Sequence, residues 1–265
     1  MEPATPTEVR IDGRRLEVAR LQPARPRSDS PAIVMLHEGL GSVSMWRAFP
    51  QRVDEATDCE VLAYSRVGYG KSDPIDTQRN VRYMHEEALV TLPALLDALR
   101  IERPILLGHS DGGSIALIFA GGTKRPLRGL IAMAPHVMVE PISVASIAQA
   151  KVAYQSTDLP QRLARYHDDV ESAFWGWNDI WLHPEFREWN VEEYLPRIDC
   201  PVLAIQGEND EYGSMEQIDR IARQARSVKL VKLARCGHSP HKDQPEAVLA
   251  AVRAFVGRIA PDPQR

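Results

Sequence analysis

The residues best equipped for chemistry lie in one short run, Gly108-His109-Ser110-Asp111-Gly112-Gly113. It follows the apolar stretch Pro104 to Gly108, which reads as a strand. It precedes Ser114 to Ala120, which reads as a small-residue helix. A Gly-x-Ser-x-Gly pattern in that context is a strand-to-helix turn that lifts the serine hydroxyl clear of its surroundings. The turn must be tight, and Gly108, Gly112 and Gly113 supply the room. Backbone N–H groups and the helix dipole at such a position favour an oxyanion. A serine hydroxyl is a weak nucleophile at neutral pH, so this chemistry also needs a base and a carboxylate that orients it.

The elements that must position Ser110 follow from periodicity. Val9 to Leu21 alternates around Asp12-Gly13 and predicts a β-hairpin. Pro23 to Pro31 is a polar connection. Short apolar runs at Ala32 to His37, Glu60 to Tyr64, Leu127 to Ala134, Cys200 to Gln206 and Val228 to Leu233 predict buried strands. His85 to Leu99 and Pro245 to Val256 carry helical spacing, and the tail from Ala260 to Arg265 reads as loose. Strands alternating with helices imply an α/β fold, a mostly parallel sheet with helices on both faces. Val137 to Leu195 breaks the rhythm: it offers no good strand and holds four of the five tryptophans, at 175, 177, 181 and 189. It reads as a helical cap inserted at 137–195 into a core domain made of 1–136 and 196–265.

At this point the sequence resembles the α/β-hydrolase family along essentially its whole length. Glu38-Gly39-Leu40-Gly41-Ser42 looks like the family's oxyanion loop, and Tyr64 to Asp73 like its second conserved turn. Ser110 matches the nucleophile elbow, and the stretches Gly207 to Asp210 and Gly237 to His241 match the acid and histidine loops. The resemblance implies a triad in chain order serine, acid, histidine. Asp210 is then the acid, with Glu208 and Glu211 as neighbours that compete for the assignment. His238 is the base, with His241 as its competitor. His37, His109, His136 and His183 read as structural or pocket histidines. The oxyanion donors are the backbone N–H groups of Asp111 and Leu40, or of Gly39 if the match shifts by one, because relatives carry His-Gly where this chain has Glu38-Gly39.

Asp111 is the clue to substrate. The Ser-Asp-Gly-Gly variant resembles the valacyclovir-hydrolase (biphenyl hydrolase-like) subgroup, where the equivalent aspartate binds the α-amino group of amino-acid esters. An aspartate in a first helical turn is also favourable through the dipole alone. The cap region holds ten Asp and Glu against four Lys and Arg, and an acidic rim with Trp175, Trp177 and Trp181 favours a cationic substrate. His136, Asp111 and those tryptophans are the expected substrate contacts. The expected reaction is hydrolysis of a small carboxylic ester, thioester or lactone. Meta-cleavage-type C–C hydrolysis or enol-lactonase activity is the alternative, with Arg47, Arg66 or His136 as the anion site. Epoxide hydrolases and haloalkane dehalogenases require aspartate at position 110 and are excluded. A non-catalytic ligand-binding protein on the same fold is the second class of reading.

Composition bounds the rest. The 265 residues carry a formal net charge of -4, which argues against a nucleic-acid partner. Cys59, Cys200 and Cys236 are sparse and lack metal-type spacing, which suits a reducing compartment. The first residues resemble neither a signal peptide nor a membrane span, so a cytoplasmic enzyme with a small-molecule substrate and no membrane partner is expected. No G-x-G-x-x-G fingerprint or Cys/His cluster calls for a cofactor or a metal. A homo-oligomer is compatible with everything above.

Overall fold

The computed structural model describes residues 6–24, 30–75 and 79–259; the reading of 260–265 as a loose tail, and most of the 23–31 connection, lie outside them. The elements run β1 (Pro6–Ile11), β2 (Arg14–Leu21), β3 (Ile33–Leu36), α1 (Phe49–Thr57), β4 (Val61–Tyr64), α2 (Tyr83–Glu86), α3 (Leu92–Ala98) and β5 (Ile105–His109). There follow α4 (Asp111–Gly122), β6 (Gly129–Met133), α5 (Pro141–Ser156), α6 (Leu159–Leu163) and α7 (Val170–Trp181). The chain ends with β7 (Val202–Gly207), α8 (Glu216–Gln224), β8 (Val228–Leu233), α9 (Pro240–Asp243) and α10 (Pro245–Ile259).

Asp12 and Gly13 both take positive φ, 50° and 81°, which is the backbone a two-residue hairpin turn demands. The strands form one sheet in the order β1-β2-β4-β3-β5-β6-β7-β8. β1, β2 and β4 pair antiparallel; β4, β3, β5, β6, β7 and β8 pair parallel. Both faces of β3, β4, β5, β6 and β7 are buried, so their side chains alternate between two cores. Val34, Leu36 and Leu106 join α3, α4 and α8 on one face. Ile33, Met35, Ile105 and Leu107 join Phe49 and Val53 of α1 and Val252 and Phe255 of α10 on the other.

This winding decides where a site can sit. From β3 the chain crosses to β4 on one side; β5 lies on the other, and β6, β7 and β8 step away from it. The carboxyl ends of β3 and β5 therefore border a crevice at a topological switch point, where open α/β sheets bind ligands. Ser110 follows β5 there. Residues 137–195 supply α5, α6, α7 and two 3-10 turns, 184–188 and 192–197. The stretch adds no strand to the sheet, only the isolated bridge between Met138 and Asn190. Three helices escaped the sequence reading, α1, α8 and the four-residue α9. The first turn of α4 did too, because Gly112 and Gly113 are poor helix formers that the tertiary fit requires. Among the described residues no helix is long and apolar enough to cross a membrane.

Candidate active site

Ser110 sits at φ 53° and ψ −119°, a backbone that L-residues adopt only when the surroundings enforce it. Its N–H donates to the Met133 carbonyl at 2.9 Å, and its own carbonyl receives the Ser114 N–H at 3.0 Å. A Cβ at Gly108 would lie 2.1 Å from the Gly112 carbonyl oxygen, and one at Gly112 would lie 2.1 Å from the Leu36 carbonyl oxygen. The glycines let α4 begin directly beneath β3 and β5, which is what pushes the serine outward.

The Ser110 hydroxyl reaches His238 Nε2 at 2.9 Å. On the far side of the imidazole, Nδ1–H donates to Asp210, 2.8 Å from Oδ1 and 3.0 Å from Oδ2. Asp210 also accepts the Tyr212 and Gly213 N–H groups at 2.8 and 3.2 Å, and the Gln206 amide at 3.2 Å. Burial pushes its carboxyl upward, but the His238 contacts and the Tyr212 N–H outweigh this and hold it below the usual carboxylate range. The acid loop packs closely on the histidine loop, since a Cβ at Gly207 would meet the Cys236 carbonyl at 2.1 Å. The His238 N–H donates to Glu211 at 3.1 Å, and its carbonyl accepts the His109 Nε2–H at 2.7 Å.

Opposite the serine, the loop after β3 is held from several directions. His37 Nδ1–H donates to the Glu38 carbonyl at 2.7 Å, and Arg66 Nη2 donates to the same oxygen at 2.9 Å. His37 Nε2 accepts the Arg66 N–H at 3.1 Å. The His167 Nε2–H donates to the Leu40 carbonyl at 3.0 Å, while its Nδ1 accepts the Gly70 N–H at 3.0 Å. Gly39 lies against the Trp177 indole, where a Cβ would come within 2.1 Å of Nε1. A cavity of about 180 Å³ lies between these parts, bordered by Gly39, Leu40, Ser110, His136, Ile147, Trp177, Trp181, Tyr212 and His238 together with Glu38, Asp111 and Glu211.

Residues 33–251 match the alpha/beta hydrolase family. The chain belongs to that family. It is 26% identical to esterase YbfF of Escherichia coli (strain K12) over 257 residues, 89% of this chain and 97% of that one. It is 26% identical to the human serine hydrolase BPHL over 155 residues, 57% of this chain and 53% of that one. The solved enol-lactonase from Burkholderia xenovorans LB400 superposes with a TM-score of 0.74 at 18% identity, over 95% of this chain and 100% of that one. The fold expected from the sequence is therefore the one observed, and the protein is a hydrolase.

Within this hydrolase the side chains sort themselves differently from several expectations. Glu208 and His241, the competitors for acid and base, do not reach Ser110. Glu208 is exposed, and His241 is buried among Trp46, Phe49 and His109. Glu211 borders the cavity but bonds the His238 backbone rather than its ring. Gly39 and Leu40 both line the cavity, as the two alternatives for one oxyanion donor require.

Trp175 is a correction: its indole N–H donates to Glu171 at 2.7 Å and its ring lies under Lys151, away from the cavity. Trp177 and Trp181 do line it. Their spacing carried the signal, because i and i+4 share a helix face and a residue two positions away does not. A second correction concerns the acidic stretch 137–195. Its contributions to the cavity are Ile147, Trp177 and Trp181, and the carboxylates there come from outside that stretch, from loop residues Glu38 and Glu211 and from Asp111 at the start of α4. Arg47 is not among the cavity residues, and its guanidinium lies 3.5 Å from the Tyr166 hydroxyl.

Asp111 is held more firmly than its sequence position suggests. Its Oδ2 accepts the Tyr83 hydroxyl at 2.6 Å and lies 3.8 Å from Arg66 Nη2. The Tyr83 oxygen in turn accepts the Trp181 indole N–H at 3.1 Å. Oδ1 is buried with no hydrogen-bond partner among the described residues. His136 stacks edgewise on Trp181 at 4.9 Å, and burial followed by the nearby His238 pushes its imidazole down to about 3, so it faces the cavity uncharged. His167, which braces the loop after β3 at Leu40, had no local motif to announce it, and Arg66, expected as an anion site, instead braces that loop at Glu38.

Proposed function

We propose that this hydrolase cleaves a small carboxylic ester, thioester or lactone through an acyl-enzyme on Ser110, and that it prefers substrates bearing an amine. One observation carries the reading: the Ser110 hydroxyl, the His238 imidazole and the Asp210 carboxylate form an unbroken hydrogen-bonded line of 2.9 and 2.8 Å at the edge of the cavity. His238 Nε2 takes the hydroxyl proton as Oγ attacks the carbonyl, and the same proton then goes to the leaving group. Asp210 fixes the tautomer with Nδ1 protonated and stabilises the imidazolium. The carbonyl oxygen becomes an oxyanion between the Asp111 N–H at the start of α4 and the N–H of Leu40, or of Gly39. Each such donor contributes about 3 kcal/mol to the transition state. Water, activated by His238, then releases the acid.

The amine preference rests on the polar wall of the cavity. Glu38, Asp111 and Glu211 border it, and no lysine or arginine does among the described residues. A substrate carboxylate, which meta-cleavage-type or enol-lactone chemistry would bring, meets negative charge there. Arg66, the cation once expected for that role, is buried against Asp111 and bonded to the Glu38 carbonyl. Localisation in the cytoplasm and a small-molecule partner belong to the same proposal.

A serine-directed fluorophosphonate should label the wild-type protein and not Ser110→Ala. Unlabelled wild type would remove the catalytic reading and leave a ligand-binding protein. An α-amino ester should then show a kcat/KM at least tenfold above its deaminated analogue, about 1.4 kcal/mol of discrimination. Equal values on the two would remove the amine preference alone.

A further inference from the structure

Glu38 and His109 are not members of the triad, yet their side chains link the loop after β3, the strand end that presents Ser110 and the loop that presents His238. His109 ends β5, one residue before the nucleophile. Its Nε2–H donates to the backbone carbonyl of His238 at 2.7 Å, so the strand that presents the serine also carries the loop that presents the base. Its Nδ1 faces Glu38 Oε2 at 3.5 Å. Glu38 belongs to the oxyanion-side loop, and its other oxygen lies 3.6 Å from Lys242 Nζ at the start of α9, just past His238. The carboxylate folds back beneath its own loop. A Cβ at Gly41 would come within 2.6 Å of Oε2, so that glycine leaves the space the carboxylate occupies. Burial raises the Glu38 carboxyl, but the His109 contact and Lys242 outweigh it and hold the group well below the usual range.

We infer that Glu38 and His109 form a positioning pair that sets the oxyanion loop, Ser110 and His238 in register with one another. This rests on the triad reading above. The 3.5 Å separation is an electrostatic approach rather than a formed hydrogen bond, attractive when the imidazole carries a proton on Nδ1 as well as on Nε2. The pair matters because it fixes three distances at once: oxyanion donor to carbonyl, serine to carbonyl, and base to serine. A shift of about 1 Å in such distances costs on the order of a hundredfold in rate. Neither side chain hydrogen-bonds Ser110, the His238 ring or Asp210, so on an ester that carries no amine for the Glu38 carboxylate the loss falls on turnover rather than on binding.

The test is a double-mutant cycle on an amine-free ester that the wild type hydrolyses, with circular dichroism and Tm on every variant. Glu38→Gln and His109→Ala should each lower kcat by about tenfold to a hundredfold, with KM changed by less than about threefold. The double variant should be no slower than the slower single one, since both break the same link. Glu38→Asp, which keeps the charge, should recover part of the loss. His109→Gln, which keeps an N–H for the His238 carbonyl, should lie between wild type and His109→Ala. It also replaces His109→Ala in the cycle if that variant does not fold. A double variant whose loss equals the product of the single losses, or single variants within about twofold of wild type, overturns the pair. Fluorophosphonate labelling of wild type and not of Ser110→Ala keeps that outcome distinct from failure of the triad reading.

Discussion

Asp210 shows how much one carboxylate is asked to do. It accepts four hydrogen-bond donors, from His238, Tyr212, Gly213 and Gln206, and the His238 bond decides which imidazole nitrogen faces Ser110. Asp210→Asn keeps the shape and removes the charge. Its amide can turn an N–H toward His238 and favour the wrong tautomer. The variant should lose on the order of 10⁴-fold in kcat, the loss seen when a triad aspartate is made neutral in serine proteases, with a much smaller change in KM. Steady-state kinetics on one ester, with Tm as a check of folding, decides this. Comparable activity in wild type and Asp210→Asn would mean that His238 is oriented by something else.

At the scale of elements, the site depends on backbone approaching backbone. Gly112 of α4 sits under the Leu36 carbonyl of β3, and neither partner can rotate away as a side chain could. Gly112→Ala must separate helix from strand at the turn that presents Ser110. Overpacking of this kind costs about 1–3 kcal/mol or more, and the serine should move with it, so stability and kcat should fall together. Gly257 offers the contrast. It lies in α10 with open space around its missing Cβ. Gly257→Ala should stabilise the fold by about 0.5–1 kcal/mol and leave kcat alone. Urea unfolding of both variants checks the pair; a Gly112→Ala protein as stable as wild type would show that α4 has more play than its packing allows.

The molecule as a whole buries uncharged histidines. Burial, followed by neighbouring histidine charge, pushes His136 down to about 3 and His241 down to about 2. The unfolded chain binds protons at these positions near the ordinary histidine value, about 6.5, while the folded chain does not. A folded-state value below the unfolded one means that this contribution to stability is complete above about pH 6.5 and is lost as the pH falls toward the folded values. Each such histidine steepens the loss by about 1.4 kcal/mol per pH unit. His241 has no hydrogen-bond partner on either ring nitrogen among the described residues and packs against Trp46 and Phe49. His241→Phe should therefore flatten the pH dependence of stability between about pH 6 and pH 5 by about 1.4 kcal/mol per pH unit. Urea unfolding at a series of pH values measures it, and an unchanged slope would show that His241 takes up a proton in the folded state.

Much of this was legible in the sequence for local reasons. Buried parallel strands are short apolar runs wherever they occur. The elbow needs its glycines within a few residues of Ser110, and Asp210 and His238 each follow a strand that the run of residues already marks. The strandless stretch 137–195 announced itself by interrupting the alternation. The tertiary structure decided what distance along the chain conceals. Tyr83 and Arg66 meet Oδ2 of Asp111, one of the two carboxylate oxygens that sequence alone would offer to a substrate. The direction of α7 sends Trp177 and Trp181 inward and Trp175 outward. His167 reaches back to Leu40, and Glu38 approaches His109, across separations for which no spacing rule exists. Backbone conformation is set mainly by near neighbours and burial pattern, so a chain displays it. Which side chains face one another depends on how finished elements pack, and that is settled only when the fold closes.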